Sequence, residues 1–146
     1  MIKFYKYQGT GNDFIMIDNR NQSFPKNDVE LVKKMCDRRF GIGADGLILL
    51  ENHEGFDFQM VYYNSDGNES TMCGNGGRCI VAFAHFLNVF ENKAKFNAID
   101  GLHEAEINGN VVKLKMIDVP EIIKIDIDYQ LNTGSPHFVR YVEDVQ

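Results

Sequence analysis

Three cysteines, Cys36, Cys73 and Cys79, are the most reactive side chains of this 146-residue sequence, and their neighbours separate them. Cys36 stands on an expected helix among Val29, Leu31, Val32 and Met35. Cys79 opens the apolar run Ile80-Val81-Ala82-Phe83-Ala84. Both read as small buried hydrophobes. Cys73 differs: it opens Cys73-Gly74-Asn75-Gly76-Gly77, a polar, glycine-rich loop running into a helix expected over Arg78 to Val89. The first amides of a helix have no partner within it, and with the helix dipole they favour a nearby negative charge. A thiol so placed ionises more readily. Gly74, Gly76 and Gly77 also let a carboxylate approach the backbone. One segment thus offers a base and an anion pocket. On these grounds alone, a reactive Cys73 and a structural Cys73 stand equally open.

The other signals are weaker. Cys73 and Cys79 are too far apart for a thioredoxin-like pair, and zinc would need more ligands than Cys73, Cys79 and His85 offer. An odd cysteine count argues against a disulfide framework. Gly41-Ile42-Gly43-Ala44-Asp45-Gly46 matches the dinucleotide-binding spacing, but it follows an expected helix and opens a strand, the reverse of what that motif needs. It reads as a helix stop. Asn12 and Asn64 lie beside Gly and Asp, where asparagine usually completes a turn; the alternative is that they bind a substrate carboxylate or ammonium group. His137 is a single histidine after Pro136 and by itself carries no assignment.

Composition narrows the class. Hydrophobic residues are 44 % of the chain and charged residues 25 %, enough for a core and ordinary for a globular protein. The formal net charge is −6 with no basic stripe, so nucleic acid is not an expected partner. The longest apolar run, Cys79 to Leu87, is broken by His85 and is too short to cross a bilayer. Residues 1–6 alternate and form no signal core. A soluble, cytoplasmic protein without membrane contact is expected.

The elements that must position Cys73 follow from periodicity. Strands are expected over 2–7, 14–18, 47–50, 56–63, 69–72, 95–99, 102–107, 111–117, 122–129 and 137–142. A helix over 28–39 starts at a cap from Asn27 or Asp28. Asn108-Gly109 signals a hairpin. Strands do not alternate regularly with helices. The expected class is α+β, with a mixed, mostly antiparallel sheet wrapped around a buried central helix.

Four segments in order resemble the diaminopimelate epimerases. They are Gly9-Thr10-Gly11-Asn12-Asp13-Phe14, Gly41 to Gly46, Tyr63-Asn64-Ser65-Asp66-Gly67 with Met72-Cys73-Gly74-Asn75-Gly76-Gly77-Arg78-Cys79, and Gly134-Ser135-Pro136-His137. The resemblance implies interconversion of LL- and meso-diaminopimelate, a late step towards lysine and peptidoglycan, with no cofactor and no metal. It implies two cysteines facing the α-carbon from opposite sides, which suits inversion at one carbon. Cys73 would be one of them. Asn12, Asn64 and Ser135 would bind substrate, Ser135 standing where many members have Asn. Gly74 and Asn75 would hold the reacting carboxylate, and His137 would tune a cysteine. Gly46 stands where some members place a substrate-contacting Gln, and nothing is carried over there.

By the same resemblance, residues 1–118 form the N-terminal domain and 119–146 open the C-terminal one. The second cysteine loop of the family is not in the sequence. The expectation is an N-terminal part that alone does not epimerise, with a homodimer as the candidate assembly of the full-length enzyme. The rivals are a proline racemase-like member of the superfamily and a non-catalytic carboxylate-binding module.

Overall fold

The computed structural model describes residues 1–144, so the last two positions of the expected 119–146 stretch lie outside the described residues. In chain order the elements are β1 (Tyr5–Gly9), β2 (Asn12–Asp18), α1 (Val29–Cys36), β3 (Gly46–Glu51), β4 (Phe58–Asn64), α2 (Gly74–Phe86), β5 (Lys93–Ala98), β6 (Gly101–Asn108), β7 (Val111–Lys115), β8 (Ile122–Ile125), β9 (Asp128–Asn132) and β10 (Pro136–Val139).

Strands β1 to β7 form one sheet in sequence order, and β8 to β10 form a second. The pairs β2–β3 and β4–β5 are parallel; the other pairs of the large sheet are antiparallel. Parallel neighbours need a crossover, usually a helix, and α1 and α2 are those crossovers. Because β3 and β4 are antiparallel, the two crossovers run in opposite senses. The right-handed preference then puts the helices on opposite faces of the sheet.

Side-chain alternation fills both faces. Phe14, Met16, Ile48, Leu50, Phe58 and Met60 pack with Ile80, Phe83 and Ala84 of α2. Ile15, Ile17, Leu47, Leu49, Val61 and Tyr63 pack with Val32, Met35 and Cys36 of α1. A strand covered on both faces reads as a continuous apolar run, which explains why all of β3 is buried. The large sheet curls so that α2 touches β1, β2, β3, β4, β6 and β7. The expected α+β class, a mixed, mostly antiparallel sheet around a central helix, is the observed one.

Several boundaries move. Helix α2 begins at Gly74, so the expected glycine-rich loop is its first turn. A Cβ at Gly76 would lie 2.9 Å from Ile48 Cδ1, and one at Gly77 would lie 2.5 Å from Met72 Cε. These two glycines let the helix seat on the sheet; they do not open a path for a ligand. Of the three, only Gly74 is uncrowded, its nearest neighbours 3.8 Å from where a Cβ would lie. The helix is not buried all round either, because Phe86 at its end is 58 % exposed. The strand expected over 122–129 is a hairpin, bent at Asp126 with φ of 55°. The strand expected over 69–72 is reduced to one bridge, Tyr63 to Glu69. Asp28 does cap α1, its side chain accepting from Leu31 N at 2.9 Å.

Candidate active site

Cys73 takes the N-cap position of α2 in extended conformation and makes no side-chain cap bond to the helix. It is half-buried, whereas Cys36 and Cys79 are buried. Burial pushes the Cys36 and Cys79 thiols up to about 11. The cysteines are thus sorted as their sequence contexts suggest: two inert thiols, and one at the mouth of a helix dipole.

Cys73 opens onto a cleft of about 510 Å³. Asn64, Gly74, Asn75, Ser135 and His137 line it with Cys73, so five of the expected site residues share one wall with the thiol. Asn64 sits at the end of β4, opposite Gly46 in the register. Its backbone makes the turn, donating to Asn68 O at 3.0 Å. Its side chain has no partner among the described residues. Asn64 therefore closes a turn, as its sequence context suggests, and its side-chain amide is left open to the cleft.

Asn12 is placed differently. It lies behind the thiol and is absent from the cleft wall. Its Oδ1 is 3.6 Å from Cys73 Sγ and 3.4 Å from Asn75 Nδ2, and its Nδ2 donates to Asp45 Oδ2 at 2.7 Å. The Asn75 side chain is held further by Thr10 Oγ1 at 3.1 Å and by the Arg78 guanidinium. With that side chain engaged, what residue 75 offers a ligand is its backbone amide, beside that of Gly74.

The second sheet reaches the cleft through its β9–β10 turn. Ser135 Oγ lies 2.7 Å from Thr71 Oγ1 and donates to Met72 O at 3.4 Å, so it clasps the segment that delivers Cys73. His137 Nδ1 is 2.7 Å from Ser135 O. A carbonyl can only accept, so Nδ1 carries the hydrogen.

Among the lining residues given no role by sequence, Arg78 and Tyr62 bring polar groups of their own. Arg78 lies one helical turn beyond Gly74, on the same face, and brings a positive charge to the wall. Its spacing from Gly74 is the signal that could have found it. Tyr62 occupies the space over Gly46: a Cβ there would lie 2.5 Å from Tyr62 Cε2. Burial first, then the nearby Cys73, pushes the Tyr62 phenol up to about 12, so it stays a neutral donor at physiological pH. A tertiary contact between β3 and β4 sets this, and no local pattern announces it.

Charge is organised behind the wall. Arg38 bridges Asp13 Oδ1 and Asp45 Oδ1, each at 2.7 Å, and Lys6 holds Asp13 Oδ2 at 2.8 Å. The Arg38 guanidinium keeps Asp13 far below the usual carboxylate range. The Asn12 amide, with Arg38, lowers Asp45. The arrangement offers a thiol, unpaired helix amides and a cation around one small cleft. It suits a small carboxylate-bearing molecule.

Solved structures set the class first. A phenazine biosynthesis protein of the PhzF family from Bacillus anthracis superposes with a TM-score of 0.66 at 13 % identity, over 94 % of this chain and 53 % of its own. A hydroxyproline epimerase from Agrobacterium vitis, with bound trans-4-hydroxy-L-proline, matches with a TM-score of 0.66 at 12 % identity, over 94 % and 50 %. At such identities the likeness is one of fold. The family follows from sequence: the diaminopimelate epimerase profile matches residues 4–120. The chain belongs to that family. The diaminopimelate epimerase of Flavobacterium psychrophilum is 64 % identical over 145 residues, spanning 99 % of this chain and 57 % of its own length. That of Aquifex aeolicus is 40 % identical over 164 residues, spanning 99 % and 59 %. The chain thus spans a little over half the length of these relatives.

Proposed function

We propose that this chain supplies one wall of an isomerase site that interconverts LL- and meso-diaminopimelate, with Cys73 exchanging a proton with the substrate α-carbon. The observation that carries the reading is Cys73 Sγ at the uncapped N-terminus of α2, facing a cleft lined by Gly74, Asn75 and Arg78. Acid–base work at a carbon needs a group that can both give and take a proton, and a thiol on a helix N-terminus does so. The amides of Gly74 and Asn75 would hold the α-carboxylate, where charge builds as the α-proton leaves. Asn64 and Ser135 would contact the substrate's polar groups, and His137 would act on the cysteine's proton.

Inversion needs a second group on the opposite face of the α-carbon. Cys36 and Cys79 cannot serve, since both are buried in the packed cores. We place that group, a second cysteine, outside residues 1–146. Residues 1–118 would be the first domain, and 119–146 the opening of the next. The name of the relatives supports diaminopimelate over proline as substrate. The test offers both to the gene product at full length and follows inversion by chiral chromatography. Turnover of diaminopimelate alone is expected; turnover of proline alone would move the protein to another branch of the fold. Binding that is untouched by Cys73→Ala, with no turnover of either by the parent protein, would make it a carboxylate-binding module.

A further inference from the structure

The two ends of an asparagine carboxamide are nearly identical in shape, and their partners decide which is which. For Asn12 the decision is made by Asp45. The Asp45 Oδ2 atom lies 2.7 Å from one end of that carboxamide. A carboxylate only accepts, so this end is the nitrogen. The other end, 3.6 Å from Cys73 Sγ, is then the oxygen. An oxygen only accepts in turn, so the sulfur must donate, and a sulfur that donates carries its proton.

Asp45 is itself fixed. Its Oδ1 receives Arg38 Nη2 at 2.7 Å and its Oδ2 receives the Asp13 backbone N–H at 3.2 Å. Arg38 also grips Asp13, which Lys6 holds from the other side. None of Lys6, Arg38 and Asp45 lines the cleft.

We propose that Asp45 is a positioning residue for Cys73: anchored by Arg38, it locks the Asn12 carboxamide with its oxygen towards the sulfur and so holds the resting cysteine as a proton donor. This deepens the reading of Cys73 as an acid–base group and rests on it for its purpose, though not for its geometry. Other titratable groups also surround the sulfur: Tyr62 from β4, Arg78 and Cys79 from α2, and His137 from β10, with Asp100 beside Gly134. These stay constant across the variants below.

The test is the pH profile of Cys73 alkylation by iodoacetamide, read by peptide mass in the chain itself. Asp45→Asn releases the Asn12 amide, which can then turn its N–H groups to the sulfur and favour thiolate. Labelling at pH 7 is expected to rise about tenfold, a profile shift of about one pH unit. In an Asn12→Ala background the same change is expected to do almost nothing, because no amide remains to turn. An unchanged profile in Asp45→Asn, or the same shift in both backgrounds, would overturn the proposal; the second result would mean a simple loss of negative charge. Arg38→Gln is the second variant should Asp45→Asn fail to fold. Losing a cation through space would slow labelling, whereas loosening Asp45 is expected to speed it, so slower or unchanged labelling also overturns the proposal. The assay contains no substrate, so its failure leaves the epimerase reading standing, and loss of that reading leaves this result standing.

Discussion

The carboxamide oxygen of Asn12 faces the Cys73 sulfur at 3.6 Å across 61 residues of sequence. Residues of the β1–β2 hairpin thus back the thiol, while α2 presents it to the cleft. The site is built where the ends of β1, β3 and β4 converge on the N-terminus of the crossover helix. Ligand sites in sheets with crossover helices favour such places, where helix N-termini meet strand ends.

Cysteine chemistry should divide sharply. Burial holds Cys36 and Cys79 at about 11, and both are buried. Iodoacetamide at pH 8 is expected to add one carbamidomethyl group, at Cys73, in the folded chain and three in urea. Native labelling of Cys79, read by peptide mass, would contradict the packing described for α2.

Gly46 and Tyr62 should behave as a pair. A Cβ at Gly46 would meet the Tyr62 ring at 2.5 Å and Tyr63 O at 2.6 Å. Gly46→Ala is therefore expected to cost about 1–3 kcal/mol in a denaturant titration, the usual range for overpacking. Tyr62→Phe keeps the ring and its edge-on contact with Phe14, 5.9 Å between centroids. It is expected to leave stability nearly unchanged and to raise KM several-fold by removing a neutral donor. A large loss of stability in Tyr62→Phe, with KM unaltered, would mean that the hydroxyl serves the fold.

Acid should act on the Lys6–Asp13–Arg38–Asp45 cluster in a defined window. Asp13 and Asp45 are both lowered, Asp13 chiefly by Arg38 and Asp45 chiefly by Asn12. A lowered carboxylate stabilises the fold fully above its unfolded value, near 3.9, and loses that stabilisation as pH falls through its folded value. Arg38→Gln is expected to lower Tm at pH 7, by a margin that narrows as pH falls from about 4 towards 2. A Tm difference that is constant over that range would remove the cluster as the cause.

Much of the fold and site is legible in the residues themselves. Each cysteine's neighbours separate Cys73 from Cys36 and Cys79, and the short run Leu47 to Leu50 marks a strand covered on both faces. Asp28 announces its cap by residue type. What sequence hides depends on contacts between distant segments. Glycine disfavours helix interiors, so the start of α2 at Gly74 has no local signal; the missing side chains at Gly76 and Gly77 answer to Ile48, Met72 and Leu114. The β8–β9 turn is masked by the apolar alternation of Ile122 to Tyr129, where Ile127 is 75 % exposed. Asp45 and Tyr62 gain their roles only once β3 lies beside β2 and β4.

The most direct test of Cys73 as an acid–base group is α-proton exchange on diaminopimelate in deuterium oxide, by the full-length gene product and its Cys73→Ala variant. With equal Tm values for the two, deuterium incorporation and inversion are expected to fall at least about 100-fold in the variant, the lower range for losing a positioned acid or base. Incorporation within a few-fold of the parent would show that the α-proton is handled elsewhere.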